Sequence, residues 1–304
     1  NVTAGQFVSL ADINAGKLVF TPAANANGAG YASFTFQVQD DGGVANGGVD
    51  LDTAARTMTV NVTSVNDAPM GTNKTVTTLE DTAYTFTAAD FGFTDPTDAA
   101  SVAGANALTA VRITTLPGAG TLQDNGVNVT AGQFVSLADI NAGKLVFTPA
   151  ANANGAGYAS FTFQVQDDGG TANAGVDLDA TPRTMTVNVT SVNDAPVGTN
   201  NTVATLEDTA YTFTAADFGL TDPTDAASAA GANALTAVRI TTLPGAGTLQ
   251  DNGVNVTAGQ FVSVADINAG KLVFTPAANA NGAGYASFTF QVQDDGGVAN
   301  GGVD

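Results

Sequence analysis

An all-β fold, built as a tandem array of antiparallel β-sandwich modules, is what this 304-residue sequence predicts, on three observations. Its apolar residues alternate with polar ones at the strand period of two, not the helix period of 3.6. Short alternating runs are separated by clusters of Gly, Asn, Asp and Pro, which is turn chemistry. The pattern then repeats almost letter for letter every 127 residues: the stretch NVTAGQFVSLADINAGKLVFTPAANANGAGYASFTFQVQDDGG begins at Asn1, Asn128 and Asn255, with a single change, Val264, in the third copy. A period that long is a whole domain rather than a solenoid unit.

The repeat defines three expected domains. Residues 1–66 are the C-terminal part of a first repeat, 67–193 a complete repeat, and 194–304 a third repeat without its last strand. The complete repeat is read element by element. Tyr84 and Phe86 alternate with Thr85 and Thr87, and Val111 and Ile113 flank Arg112. In 159–166 the odd positions, including Phe161, Phe163 and Val165, are expected to face a core and the even ones water. Met185, Val187 and Val189 follow the same rule against Thr184, Thr186 and Asn188, Thr being a good β-former for a wet sheet face. Gln123-Asp124-Asn125-Gly126 predicts a tight type I′ hairpin, since Asn-Gly tolerates positive φ. Leu137 to Gly143 predicts one helical turn before a strand over 144–148. The stretches 95–106 and 169–182 read as long loops, giving seven to nine strands per module.

Modules join through Ser64-Val65-Asn66-Asp67-Ala68-Pro69 and Ser191-Val192-Asn193-Asp194-Ala195-Pro196, with no Gly/Ser spacer. Proline fixes φ and drives the preceding alanine towards an extended conformation, so a stiff array is expected rather than beads on a string.

Composition narrows function. The net charge is −20, which makes nucleic acid a poor partner. Of 28 acidic residues only Glu80 and Glu207 are glutamates. Aspartate prefers loops and is a hard oxygen ligand, so the bias suits calcium or a solvated acidic surface. Cysteine and histidine are both absent, which removes disulfides, thiolate metal sites and the usual nucleophile–base pairs. The apolar runs are too short for membrane insertion, and the opening NVTAGQF carries no signal-peptide pattern. Asp167-Asp168 does not read as a hydrolase pair: neighbours on a strand point apart, and the pair recurs at Asp40-Asp41 and Asp294-Asp295. No enzymatic activity is expected.

VNDAP linkers, Leu-Glu-Asp-Thr, Asp-Pro-Thr-Asp, Phe-Thr-Pro-Ala-Ala-Asn-Ala-Asn-Gly and Phe-Thr-Phe-Gln-Val-Gln-Asp-Asp-Gly-Gly occur in order. Together they resemble the bacterial cadherin-like, VCBS-type and related immunoglobulin-like tandem repeats of large RTX-type adhesins and biofilm surface proteins. The resemblance covers essentially the whole chain. It implies immunoglobulin/cadherin-like sandwiches with calcium (Ca2+) at their junctions. Carried over by position, the implied ligands of the complete module are Glu80, Asp95, Asp98, Asp167 and Asp168, closed by Asn193 and Asp194 of the following linker. Their equivalents are Glu207, Asp222, Asp225, Asp294 and Asp295 in the third module, and Asp40, Asp41, Asn66 and Asp67 around the first. Asp50, Asp52, Asp177 and Asp179 stand open between ligands and plain loop residues.

The resemblance further implies an extracellular, cell-surface location and a spacer role, with neighbouring repeats of the same chain as partners and any receptor outside this sequence. The alternative is a self-assembling filament, sheath or matrix component joined through sheet edges. A lectin-like role has less support, because Trp is absent and most Phe residues fall on inward positions. Modules two and three differ at eight of 111 aligned positions, mostly by apolar swaps such as Met70 for Val197 and Phe93 for Leu220, so no copy shows a site of its own. Asn-x-Thr sequences at Asn61, Asn73, Asn128, Asn188, Asn200 and Asn255 matter only in a eukaryotic secretory host, where Asn188 is expected to face outward.

Overall fold

A computed structural model describes residues 1–228 and 230–304. Residues 1–66 form one helical turn, α1 (Leu10–Asn14), and a two-stranded antiparallel sheet of β1 (Gly28–Phe36) and β2 (Arg56–Val62).

The complete module holds β3 (Lys74–Leu79), β4 (Tyr84–Thr85), α2 (Pro96–Ala99), β5 (Leu108–Ile113), β6 (Thr121–Asp124), β7 (Val127–Asn128), β8 (Phe134–Ser136), α3 (Leu137–Asn141), β9 (Leu145–Thr148), β10 (Gly155–Asp167) and β11 (Arg183–Thr190). They make a five-stranded sheet, β3-β11-β10-β5-β8, and a four-stranded sheet, β4-β9-β6-β7. The fold is therefore an all-β sandwich. One correction applies to the expected topology: β3 pairs with β11 in parallel, while the other pairs among the described residues are antiparallel. The physical reason lies in the array. A chain that enters a module at one end and leaves at the other must run its opening and closing strands in the same direction.

Alternation places the core as expected. Phe161, Phe163, Val165, Met185 and Val187 are buried between the sheets with Val111, Ile113, Phe86, Phe91 and Phe147. Edge-to-face ring contacts knit the layers, Phe86 to Phe161 at 5.6 Å and Phe91 to Phe163 at 5.0 Å between centroids. Asn125 and Gly126 both have positive φ, 52° and 76°, as the type I′ hairpin requires. The α3 turn is capped by Ser136, whose hydroxyl accepts from the Asp139 N–H.

Polar side chains that the sequence left open serve the frame. The Asp179 carboxylate, 2% exposed, accepts from the Gly71 N–H (2.8 Å) and from Arg183 Nε (3.0 Å), tying the module's entry to β11. Asp52 meets Arg56 in the same way, and Asp50 and Asp177 accept from Gln39 and Gln166. Asn188 is half-buried, and its carbonyl accepts from the Gly157 N–H at 2.7 Å, holding the bulge between Gly155 and Ala159. Asn188 thus lies on the outward face of β11 as expected, with its side-chain carbonyl engaged.

The third module repeats the plan with β12 (Tyr211–Thr212), β13 (Ala237–Ile240), β14 (Thr248–Asp251), β15 (Val254–Asn255), β16 (Phe261–Ser263), α4 (Val264–Asn268), β17 (Leu272–Thr275) and β18 (Phe290–Gln293), in sheets β16-β13-β18 and β12-β17-β14-β15. Residues 201–206, counterparts of β3, form no strand. In the complete module β3 joins its sheet through β11. Among the described residues no helix is long and apolar enough to cross a membrane.

Candidate metal centre at the module junctions

In the linker between the second and third modules, Ser191 to Asp194 are each tied to one side or the other. Glu80, in the turn that follows β3, accepts from the Ser191 hydroxyl at 3.2 Å and from the Val192 N–H, and its own N–H donates to Thr190 O at 2.9 Å. Asn193 and Asp194 belong to the module below: Asn193 Nδ2 donates to Asp294 Oδ1 (3.1 Å) and Val303 O (2.7 Å), and the Asp194 N–H donates to Asp225 Oδ2 (2.8 Å). The preceding linker binds identically, with Asn66 Nδ2 on Asp167 Oδ1, Gly170 O and Val176 O and the Asp67 N–H on Asp98 Oδ2. The VNDAP sequence is thus a docked segment, held to the module that follows it by the asparagine side-chain amide and the aspartate N–H.

Acidic side chains converge on these docked linkers. In Asp95-Pro96-Thr97-Asp98 the proline starts α2 and the two aspartates, three apart, share a face. Asp167 ends β10 beside them. The Glu80, Asp194 and Asp225 carboxylates bring one oxygen each to within 4.8 Å of one another, drawn from two modules and the linker.

Burial makes the cluster costly. Asp95, Asp98 and Asp167 are 6%, 3% and 3% exposed, and Asp222, Asp225 and Asp294 are 5%, 3% and 2%. Asp95 Oδ1, Asp167 Oδ2 and Asp294 Oδ2 are buried with no hydrogen-bond donor at all. A buried carboxylate oxygen without a donor or counter-charge costs several kcal/mol, on the order of 2 or more. Burial, and then the nearby carboxylates, push the Asp98, Asp167, Asp194 and Asp225 carboxyls above the ordinary range.

The structure sorts the expected ligands differently from the resemblance. Glu80 does meet Asp194 of the following linker, but Asp95, Asp98 and Asp167 lie at the other end of the module, with Asn66 and Asp67 of the preceding one. β3 carries Glu80 the length of the sandwich away from Asp95, which adjacency in sequence conceals. Asp168 and Asp295 are exposed and accept instead from the Ala107 and Ala234 N–H groups, both at 2.7 Å. Asp40 and Asp41 are exposed too, Asp40 accepting from the Gly42 N–H at 2.9 Å. Glu207 is exposed and accepts from Asn281 Nδ2 at 2.7 Å.

Sequence reasoning missed two amides. Asn106 holds Asp95 Oδ2 through its N–H (2.7 Å) and contacts the Asn66 carbonyl through its side chain, and Asn233 repeats this with Asp222 and Asn193. Asn154 donates to Glu80 Oε2 at 2.9 Å. Its motif, Ala-Asn-Ala-Asn-Gly, was visible, and its recurrence beside every junction was the available signal. Its first-module counterpart, Asn27, accepts from the Val102 N–H across the junction at 3.0 Å.

Gly169 has a steric duty here. A Cβ there would occupy the space of the Asn66 and Asn106 carboxamides. Gly169→Ala is expected to expel Asn66 from its carbonyl cage and destabilise the second module by about 2–4 kcal/mol. Calorimetric melting checks this, and Gly170→Ala, which meets no neighbouring atom but has φ of +71°, separates steric from conformational cost.

Residues 66–179 match the model of the family described as bacterial Ig domain. Over that stretch the chain is similar to a bacterial Ig-like repeat. Comparison with the curated proteins, and with the solved structures, returned no match.

Proposed function

We propose that the chain is a run of structural extender repeats from a large secreted or surface-anchored bacterial protein, made rigid by calcium at its junctions. One observation carries the reading: the Glu80, Asp194 and Asp225 carboxylates of two successive modules and their linker converge, and buried oxygens of Asp294, and of Asp95 and Asp167 one module earlier, have no donor. The donor set fits the ion. It is all oxygen, carboxylate and amide, as a hard cation prefers, and the chain has neither histidine nor cysteine for a softer metal. Glu80, Asp194, Asp225, Asp222 and Asp294 would hold calcium between the second and third modules, and Asp67, Asp95, Asp98 and Asp167 between the first and second.

Bound calcium supplies positive charge. The chain's own residues do the mechanical work: Asn193 and Asp194 seat the linker on one module, while Glu80 grips it from the other. Without a cation the carboxylates repel and the junction hinges; with one, the modules are clamped. Repetition of a single module with no distinct site in any copy suits reach and spacing.

The test is small-angle scattering and thermal melting of the 304-residue chain in calcium and in EGTA. Calcium is expected to raise the melting temperature and lengthen the particle. Unchanged dimensions and melting would sink the reading. Concentration-dependent growth in mass would favour the self-assembling alternative.

A further inference from the structure

We propose that the second and third modules each carry a saccharide-binding row on the outer face of one sheet, fitted to neutral chains of β-linked, glucose-type sugars. The row is Phe134, Arg112 and Gln164 in the second module and Phe261, Arg239 and Gln291 in the third.

Strand register builds the row. Phe134 on the edge strand β8 stands opposite Arg112 on β5, and Arg112 stands opposite Gln164 on β10. Residues directly opposite share a face, and neighbouring strands lie about 4.8 Å apart, so the three side chains form one line about 10 Å long. Val111, Ile113, Val135 and Val165, their neighbours along the strands, are buried, so the line faces outward. The third module aligns Phe261, Arg239 and Gln291 in the same way.

The row departs from the habits of the rest of the chain. Phe86, Phe147, Phe161 and Phe163 are buried, but Phe134 is 46% exposed and Phe261 54%. Each exposed ring is propped by a guanidinium, Arg112 at 5.7 Å from the Phe134 centroid and Arg239 at 5.8 Å from that of Phe261. Lys17, Arg56, Lys144, Arg183 and Lys271 pair with aspartates, whereas among the described residues Arg112 and Arg239 pair with none. Arg112 Nε is buried without an acceptor, so this guanidinium is incompletely satisfied and an incoming acceptor at its outer nitrogens is favoured. Gln164 Nε2 donates to Asp179 O at 2.7 Å, which fixes the carboxamide and presents its carbonyl as an acceptor. In the third module Arg239 Nη1 donates to Gln291 Oε1 at 3.3 Å and ties that row together.

A half-exposed ring beside planar donors and an amide is the chemistry that reads a pyranose. The ring stacks on the sugar's apolar C–H face, while guanidinium and amide bond its hydroxyls. Glucose-type rings carry those hydroxyls equatorially, and their β-linked chains run as extended ribbons that suit a flat row. Charge selects the neutral class. A net charge of −20 repels acidic polysaccharides and further copies of this chain alike, and the row itself contains no acid. One row is a weak site, but a polymer that reaches both gains avidity without any new contact.

Native electrophoresis of the 304-residue chain through gels containing soluble mixed-linkage β-glucan tests this. The gels contain EGTA, so that no calcium bridges protein and sugar and the outcome is separate from the calcium reading. The chain is expected to be retarded. Phe134→Ala is expected to weaken retention at least about tenfold, and Phe134→Ala with Phe261→Ala to abolish it. Arg112→Gln with Arg239→Gln, which keeps the rings, is expected to weaken it in the same direction. Melting curves check that each variant folds, and either pair decides the matter if the other does not fold. No retention by β-glucan, or retention that survives the paired variants, overturns the row. So does binding confined to alginate. A mass that grows with concentration until the two rings are removed also overturns it, and makes the row a contact between copies.

Discussion

Phe161→Ala is expected to destabilise the second module by about 3–5 kcal/mol, whereas Phe134→Ala, in the same module, is expected to cost under about 1 kcal/mol. Phe161 is 1% exposed and sets its ring edge-to-face against Phe86, so truncation opens a cavity between two sheets that cannot collapse onto it. Phe134 is 46% exposed on the edge strand β8, where its removal leaves no cavity. Scanning calorimetry of the chain and both variants reads the difference. Equal losses would mean that Phe134 too sits in a packed core, against the exposure described above. Because the modules can melt separately, the comparison is of the high-temperature transition and not of one global unfolding energy.

In EGTA the chain is expected to lose stability as pH rises from about 4 to 7, and in calcium to gain it. Asp98, Asp167, Asp194 and Asp225 have their carboxyls raised, by burial first and by neighbouring carboxylates second. The folded chain thus holds these protons more tightly than the unfolded chain. Their contribution is fully present below the unfolded pKa and is lost as pH rises through the folded one. Asp139 and Asp266 act in the opposite sense, held below the ordinary range by hydrogen bonds from Lys144 and Lys271 and then from Ser136 and Ser263. Those are surface pairs, worth little, whose stability is lost only under more acid conditions. Calcium competes with protons for the same oxygens, so its stabilisation grows as the carboxylates ionise. Melting curves from about pH 4.5 to 7.5, with and without calcium, should therefore cross. A flat or rising profile in EGTA would show that the junction carboxylates are not the strained groups described.

Much of this fold is legible in the residues. Alternation in 159–166 and 183–189 fixes which side chains face inward because a strand's side-chain period admits no other answer. Asn125-Gly126 dictates its turn through positive φ, and Ser136 and Gly143 bracket α3 by local capping. The parallel pairing of β3 with β11 was not legible, because a strand's pattern is the same whichever way its neighbour runs. The junction was legible in its residue types and not in its grouping. Aspartates three residues apart at Asp95 and Asp98 reveal a shared face; that Glu80 serves the opposite end depends on the direction of β3 and the length of the sandwich.

The sequence by itself determined the repeat, the strands with their inward faces, the turns, and the oxygen-only chemistry that any cation here must accept. Those follow from local sterics, side-chain period and composition, which need no distant partner. The tertiary structure alone decided burial and company. Phe134 and Phe161 both lie on strands of the same sheet, yet one is half in water and the other dry, because only Phe161 faces the second sheet. Asp167 and Asp168 are neighbours in sequence, but Asp167 alone is enclosed by Asn66 and buried. Burial sets the cost of an unpaired carboxylate, and it comes from chain segments about a hundred residues apart.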